Sequence, residues 1–123
     1  VEYYDDANWA ELPRDMTTRE LLDAIVATGR IQDVGNAADM RSPDLLLVGT
    51  IRRFDEDSSA NPAHAVCVIR LELRQGVSRE AVWSDTLIVR EPMTGKGPSA
   101  LASAMSAAVA KIATQAAEQI IKY

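Results

Sequence analysis

The segment 99–122 is the part of the sequence that most restricts the fold. It is rich in alanine, the residue with the highest helix propensity, contains no glycine or proline, and begins directly after Pro98. Side chains of one face recur at helical spacing: Leu101, Met105, Ala108, Ile112, Gln115 or Ala116, and Ile120. This spacing predicts a long amphipathic helix. Its many small side chains would let the helix pack closely against a β-sheet.

Three segments before this helix predict the strands of that sheet. Residues 45–54 begin with a nearly continuous apolar run, which predicts a strand buried on both faces and therefore layers on both sides of the sheet. Residues 64–74 alternate between two faces, one apolar and one that becomes polar toward the end. Residues 81–90 follow after a short loop, and we expect these two strands to pair antiparallel.

A second, shorter helix is predicted from residue 17 or 18 to residue 28. Thr17 and Glu20 have the spacing of a capping box, in which both side chains bond to free backbone N–H groups at a helix start. The apolar side chains of this helix share one face: Leu21, Leu22, Ile25 and Val26. Gly29 suits the left-handed position that follows the end of many helices.

The length and charge of the chain restrict its class. The 123 residues predict a single domain over residues 1–123. A net charge of -5 without a cluster of Lys and Arg argues against a nucleic-acid partner. The sequence has no apolar stretch of the roughly 20 residues that cross a bilayer, and no signal-peptide pattern. Because the chain begins abruptly at Val1, we expect a piece of a longer precursor that lacks its N-terminal part.

The residues that carry most enzyme chemistry are scarce. His64 is the only histidine, and Cys67 is the only cysteine and lies inside an apolar run that predicts a buried, unreactive thiol. One histidine and one buried cysteine cannot supply the three or four ligands of a zinc site. The G-x-S-x-G motif of a serine nucleophile is also absent.

The acidic and glycine-rich segments of the sequence do not match a calcium-binding or phosphate-binding motif either. Asp55, Glu56 and Asp57 lack the glycine and the distal glutamate of a calcium-binding loop. Residues 94–97 (T-G-K-G) lack the spacing of a phosphate-binding P-loop. We interpret the acids as solvated loop charges. The sequence thus predicts no catalytic, cofactor-binding or metal-binding residues and no cofactor, and hence a protein that is not an enzyme.

Aromatic side chains are the candidates for contact with a partner or ligand. Trp9 lies in a loop between predicted elements, where a Trp either packs the loop onto the core or contacts a partner. Tyr3, Tyr4 and Phe54 are the other candidates, and core packing is the alternative for each of them.

The order of these features resembles a known family. Tyr3 and Tyr4, followed by residues 9–13 (W-A-E-L-P) and a helix, resemble the start of the core region in the PqiC-like ABC-type transport auxiliary lipoproteins. Residues 43–47 (P-D-L-L-L) and 51–55 (I-R-R-F-D) resemble a strand motif of that family. A long strand, a hairpin, a second strand and an alanine-rich last helix follow in the same order. The resemblance covers nearly the whole chain.

This resemblance implies a fold and a cellular role. The fold is a three-layer α/β/α sandwich with a mixed sheet, similar to anticodon-binding domains. The role is that of a non-enzymatic accessory lipoprotein in the Gram-negative cell envelope, located in the periplasm and attached to the outer membrane through an N-terminal lipid absent from this chain. Its partners are MCE-type substrate-binding and ABC permease subunits, and the system moves lipids or hydrophobic compounds across the envelope. Family members have a further strand before the tyrosines, and a homo-oligomer is one way to cover a sheet edge left without it.

Two other non-enzymatic functions fit the same sequence. A stand-alone lipid-binding or small-molecule-binding module would need an apolar cavity between the last helix and the sheet. A scaffold subunit of another envelope machine, for secretion or peptidoglycan synthesis, would have different partners.

Overall fold

A computed structural model describes residues 12–31, 34–35 and 43–123 of the chain. Two helices and three strands follow in the order α1 (Pro13–Ala27), β1 (Leu45–Asp57), β2 (His64–Gln75), β3 (Ala81–Pro92) and α2 (Pro98–Ile120). The predicted α/β class is confirmed. The sequence pattern also predicts two short strands, at residues 1–4 and 30–34, and these segments lie wholly or partly outside the described residues.

The three strands form a sheet in the order β1-β2-β3, with both neighbouring pairs antiparallel. The predicted antiparallel pairing of β2 with β3 is therefore confirmed. The alternation along β2 gives the sheet an inner face, which carries the helices, and an outer face. The inner-face side chains of β2 before its last residue are buried: Ala65, Cys67, Ile69, Leu71 and Leu73.

Both described helices lie on the inner face. Helix α2 packs against β2 and β3, and α1 packs against α2, so that all of them share one apolar core. Among the described residues there is neither a parallel strand pair nor a layer on the outer face. The mixed sheet, the third layer and the similarity to anticodon-binding domains therefore stay predictions.

Helix α2 confirms the periodicity of its sequence. The predicted core positions of α2 are buried: Leu101, Met105, Ala108, Ile112, Ala116 and Ile120. Gln115 is exposed, so Ala116 is the residue that continues the apolar face. Five of the ten buried residues of α2 are alanines, and such small side chains allow the helix backbone to approach its neighbours closely.

Helix α1 begins earlier than predicted. Leu12 has an extended backbone, with φ −61° and ψ 142°, as favoured for a residue before proline. Pro13 occupies the first helical turn, where its missing N–H leaves no bond unmade. Thr17 therefore lies within the helix and donates its hydroxyl to the Pro13 carbonyl oxygen at 2.8 Å. The predicted capping box of Thr17 and Glu20 was wrong, whereas Gly29 follows the helix end at φ 65° as predicted.

Candidate functional site: strand β1

Strand β1 has an inner face that the helices cover less than that of β2. Its apolar inner-face side chains pack against the edge of the core but stay half-buried: Leu45, Leu47, Ile51 and Phe54. The principal contacts of the described helices are with each other, β2 and β3. On the outer face of β1, Val48 is 41% exposed and Thr50 is also exposed. The prediction of a strand buried on both faces was therefore wrong.

A β-bulge sets the direction of Phe54. The register with β2 shifts between Ile51 and Arg53, because Arg52 is an extra residue in β1. Without the bulge, strict alternation from Ile51 would place Arg53 on the inner face and Phe54 on the outer face. The bulge reverses this order, and Phe54 lies opposite Cys67 on the inner face of the sheet.

Phe54 is the one predicted contact residue that the structure places. It is half-buried at the border between the core and the less covered part of β1. The other three candidates, Tyr3, Tyr4 and Trp9, lie outside the described residues. Whether these side chains contact a partner stays a prediction.

The prediction that the three acids Asp55, Glu56 and Asp57 are solvated loop charges was wrong, because they belong to the end of strand β1. Asp55 is only 2% exposed on the outer face, where both of its carboxylate oxygens accept hydrogen bonds from Arg53 at 3.1 and 2.9 Å. A bidentate pair of this kind satisfies the buried carboxylate and fixes the guanidinium. The Asp55–Arg53 pair therefore fixes both side chains on the outer face of β1.

Asp57 links β1 to β3. Its carboxylate accepts bonds from the Ser59 hydroxyl at 2.5 Å, from the Arg90 guanidinium at 2.6 Å and from the Ser59 backbone N–H at 3.0 Å. These bonds, first of all that from the Ser59 hydroxyl and next that from Arg90, hold the pKa of Asp57 well below its ordinary value of 3.8. These bonds stabilise the ionised form of Asp57 and so disfavour proton uptake. Asp57 is thus a charged residue that joins the end of β1 to β3.

Glu56 is the buried acid on the inner face. It is 8% exposed, and its Oε1 atom is buried without a hydrogen-bond partner. Ala65 lies opposite it on β2, and Glu91 lies opposite Ala65 on β3 and accepts a bond from Lys111 of α2 at 2.6 Å. The sequence pattern did not predict this burial. Its only signal was that Glu56 follows Phe54 by two residues, which places both on one face.

His64 and Cys67, whose side chains have the most reactive chemistry, lie in surroundings that suit a structural role. The Nδ1 atom of His64 lies 2.9 Å from the carbonyl oxygen of Pro62, to which a protonated Nδ1 donates. Burial raises the pKa of the Cys67 thiol to about 12, so it is uncharged at neutral pH. Within residues 12–31, 34–35 and 43–123, no group of three acidic, His or Cys side chains is placed to hold a metal ion. Neither described helix combines the length and hydropathy needed to cross a membrane.

The fold and sequence place the chain in a class and then in a family. A three-stranded antiparallel sheet with two helices on one face is a mixed α/β fold. The chain belongs to the family described as ABC-type transport auxiliary lipoprotein component, whose model matches residues 1–117. The resemblance seen in the sequence is thereby confirmed. A search of curated proteins found no match.

Solved structures share the fold. A Xanthomonas campestris protein of the DUF330 family superposes with a TM-score of 0.83 at 24% identity, and the match covers 92% of this chain and 63% of that one. The chain thus spans less than two thirds of the length of this relative. A PelC dodecamer from Paraburkholderia phytofirmans superposes with a TM-score of 0.59 at 20% identity, covering 85% of this chain and 77% of that one.

Proposed function

We propose that the chain, as one domain, is a non-enzymatic accessory subunit of an MCE-type ABC transport system. The system moves lipids or hydrophobic compounds across the envelope, and the subunit lies in the periplasm, attached to the outer membrane by an N-terminal lipid. The family match over residues 1–117 carries this proposal, because the family consists of auxiliary lipoprotein components of ABC-type transport.

The surroundings of the reactive groups support a role without catalysis. Asp55 and Asp57 form ion pairs with Arg53 and Arg90. A general acid or base needs a pKa near the working pH, whereas the bonds to Asp57 move its pKa away from that range. Cys67 is a buried, protonated thiol, and only the thiolate is a good nucleophile.

The packing of α2 weighs against a stand-alone lipid-binding module. Met105, Ala108 and Ile112 of α2 have no solvent-accessible surface, and neither has Leu71 of β2. An apolar cavity large enough for a ligand would leave accessible surface on its lining. We therefore prefer binding of partner subunits to binding of a ligand between α2 and the sheet.

We propose that Phe54, with Trp9, Tyr3 and Tyr4, contributes to the contact with partner subunits. Support comes from the position of Phe54 on the less covered strand of the sheet. Trp and Tyr side chains supply much of the binding energy at protein interfaces, and Phe is enriched there as well. We also propose that copies of the chain can associate, since the Paraburkholderia PelC protein of related fold is a dodecamer.

Affinity purification of the full-length lipoprotein from its own cells tests the proposed function. We expect MCE-type substrate-binding subunits and ABC permease subunits to copurify after mild crosslinking. A fatty-acid label should appear on the same protein, and cell fractionation should place it with the outer membrane. Recovery of peptidoglycan synthases or secretion subunits instead would overturn the transport role in favour of a scaffold in another envelope machine.

Substitution of Phe54 tests the proposed contact separately. Phe54→Ala should reduce recovery of the transport subunits several-fold, whereas Ile88→Ala, at a side chain 60% exposed on the outer face of β3, should not. Circular dichroism and thermal unfolding must show that both variants are folded. If the Phe54→Ala variant does not fold, Phe54→Leu takes its place. Unchanged recovery with a folded Phe54 variant would remove Phe54 from the interface without affecting the transport role.

A further inference from the structure

We draw no further inference here: the strongest candidate, the half-buried apolar inner face of strand β1 formed by Leu47, Ile51 and Phe54, carries none because nothing in the described residues shows what covers it.

Discussion

Strands β1 and β2 are neighbours of nearly equal length, 13 and 12 residues, and differ most in burial. β1 begins with the more continuous apolar run, whereas β2 carries Arg70 and Glu72 on its outer face. Even so, the inner-face side chains of β2 from Ala65 to Leu73 are buried, whereas the apolar inner-face side chains of β1 are only half-buried. β2 has a strand on each side and α2 above it, while among the described residues β1 pairs with β2 alone. Position within the sheet therefore decides burial more than apolar content does.

The largest expected effect comes from truncating the same residue type in both strands. Leu71 of β2 is 0% exposed, and Leu47 of β1 is half-buried on the same inner face. Leu71→Ala should lower the free energy of unfolding by about 3 kcal/mol, because it removes buried methyl groups and leaves a cavity. Leu47→Ala should cost less than half of that. Urea denaturation measures both.

Equal losses of unfolding free energy in the two variants would contradict the difference in burial, because they would mean that the helices cover β1 to the same extent as β2. Where Leu71→Ala fails to fold, the pair Leu71→Val and Leu47→Val provides the same contrast with a smaller loss. An unchanged urea dependence of the unfolding free energy checks that both variants unfold from a comparably compact state.

Glu56 offers a sharper test, since it is the well-buried residue of the inner face of β1. Its Oε1 has no hydrogen-bond partner, and a buried unsatisfied polar atom costs free energy. The methionine side chain is similar in length to that of glutamate and has no polar oxygen. Glu56→Met should therefore raise the free energy of unfolding by about 1 kcal/mol. The measurement is thermal and urea unfolding at neutral pH.

Glu72→Met is the matched control for Glu56→Met. Glu72 is half-buried on the outer face of β2 and accepts a bond from Arg74 at 3.2 Å, so its replacement should bring no gain. A loss of stability in Glu56→Met would mean that the Glu56 carboxylate contributes favourable interactions in the fold.

The smallest effect concerns the link from β1 to β3. The pKa of Asp57 is lowered in the folded protein, so the stabilisation by its carboxylate is present above the ordinary value of 3.8 and is lost as pH falls through the lower folded value. The wild type should therefore lose stability on acidification more steeply than Asp57→Asn does. Urea midpoints measured at several acidic pH values give the two slopes.

Arg90→Gln should remove part of the same pH dependence, because Arg90 is the second of the groups that lower the pKa of Asp57 after Ser59. Identical acid slopes for the wild type and Asp57→Asn would show that this link does not stabilise the end of β1.

Local patterns in the sequence predicted the elements that depend on local chemistry. The spacing of Leu101, Met105, Ala108 and Ile112 was sufficient for α2, since one face of a long helix must cover a core. The short loop between β2 and β3 was sufficient for their antiparallel pairing. Gly29 likewise marked the end of α1, because a left-handed backbone favours glycine.

The features that depend on distant contacts could not be predicted in this way. Burial of β1 depends on where α2 lies, and the side to which Phe54 turns depends on the bulge at Arg52. Val26 illustrates the same limit: it shares the apolar pattern of Leu21 and Ile25, yet it is 59% exposed. A helical period identifies an apolar side of a helix, but not how much of that side a neighbour covers.

The prediction of where α1 begins was wrong for a different reason, because two local signals in the sequence competed. Thr17 and Glu20 match a capping box, and Pro13 matches the first turn of a helix. The structure follows Pro13, and Thr17 then uses its hydroxyl within the helix instead of at its end. Of the candidate site, the sequence indicated Phe54 but not the burial of Asp55 and Glu56 beside it.

Because Cys67 is buried, its thiol is a natural chemical probe of local opening at the centre of the sheet. An uncharged thiol enclosed in the core reacts with neither disulfides nor thiol reagents, since these require an accessible thiolate. Modification must therefore wait until β2 separates from its neighbours. When the strand recloses faster than the reagent reacts, the rate of modification of the single thiol reports the free energy of this opening without any engineered probe.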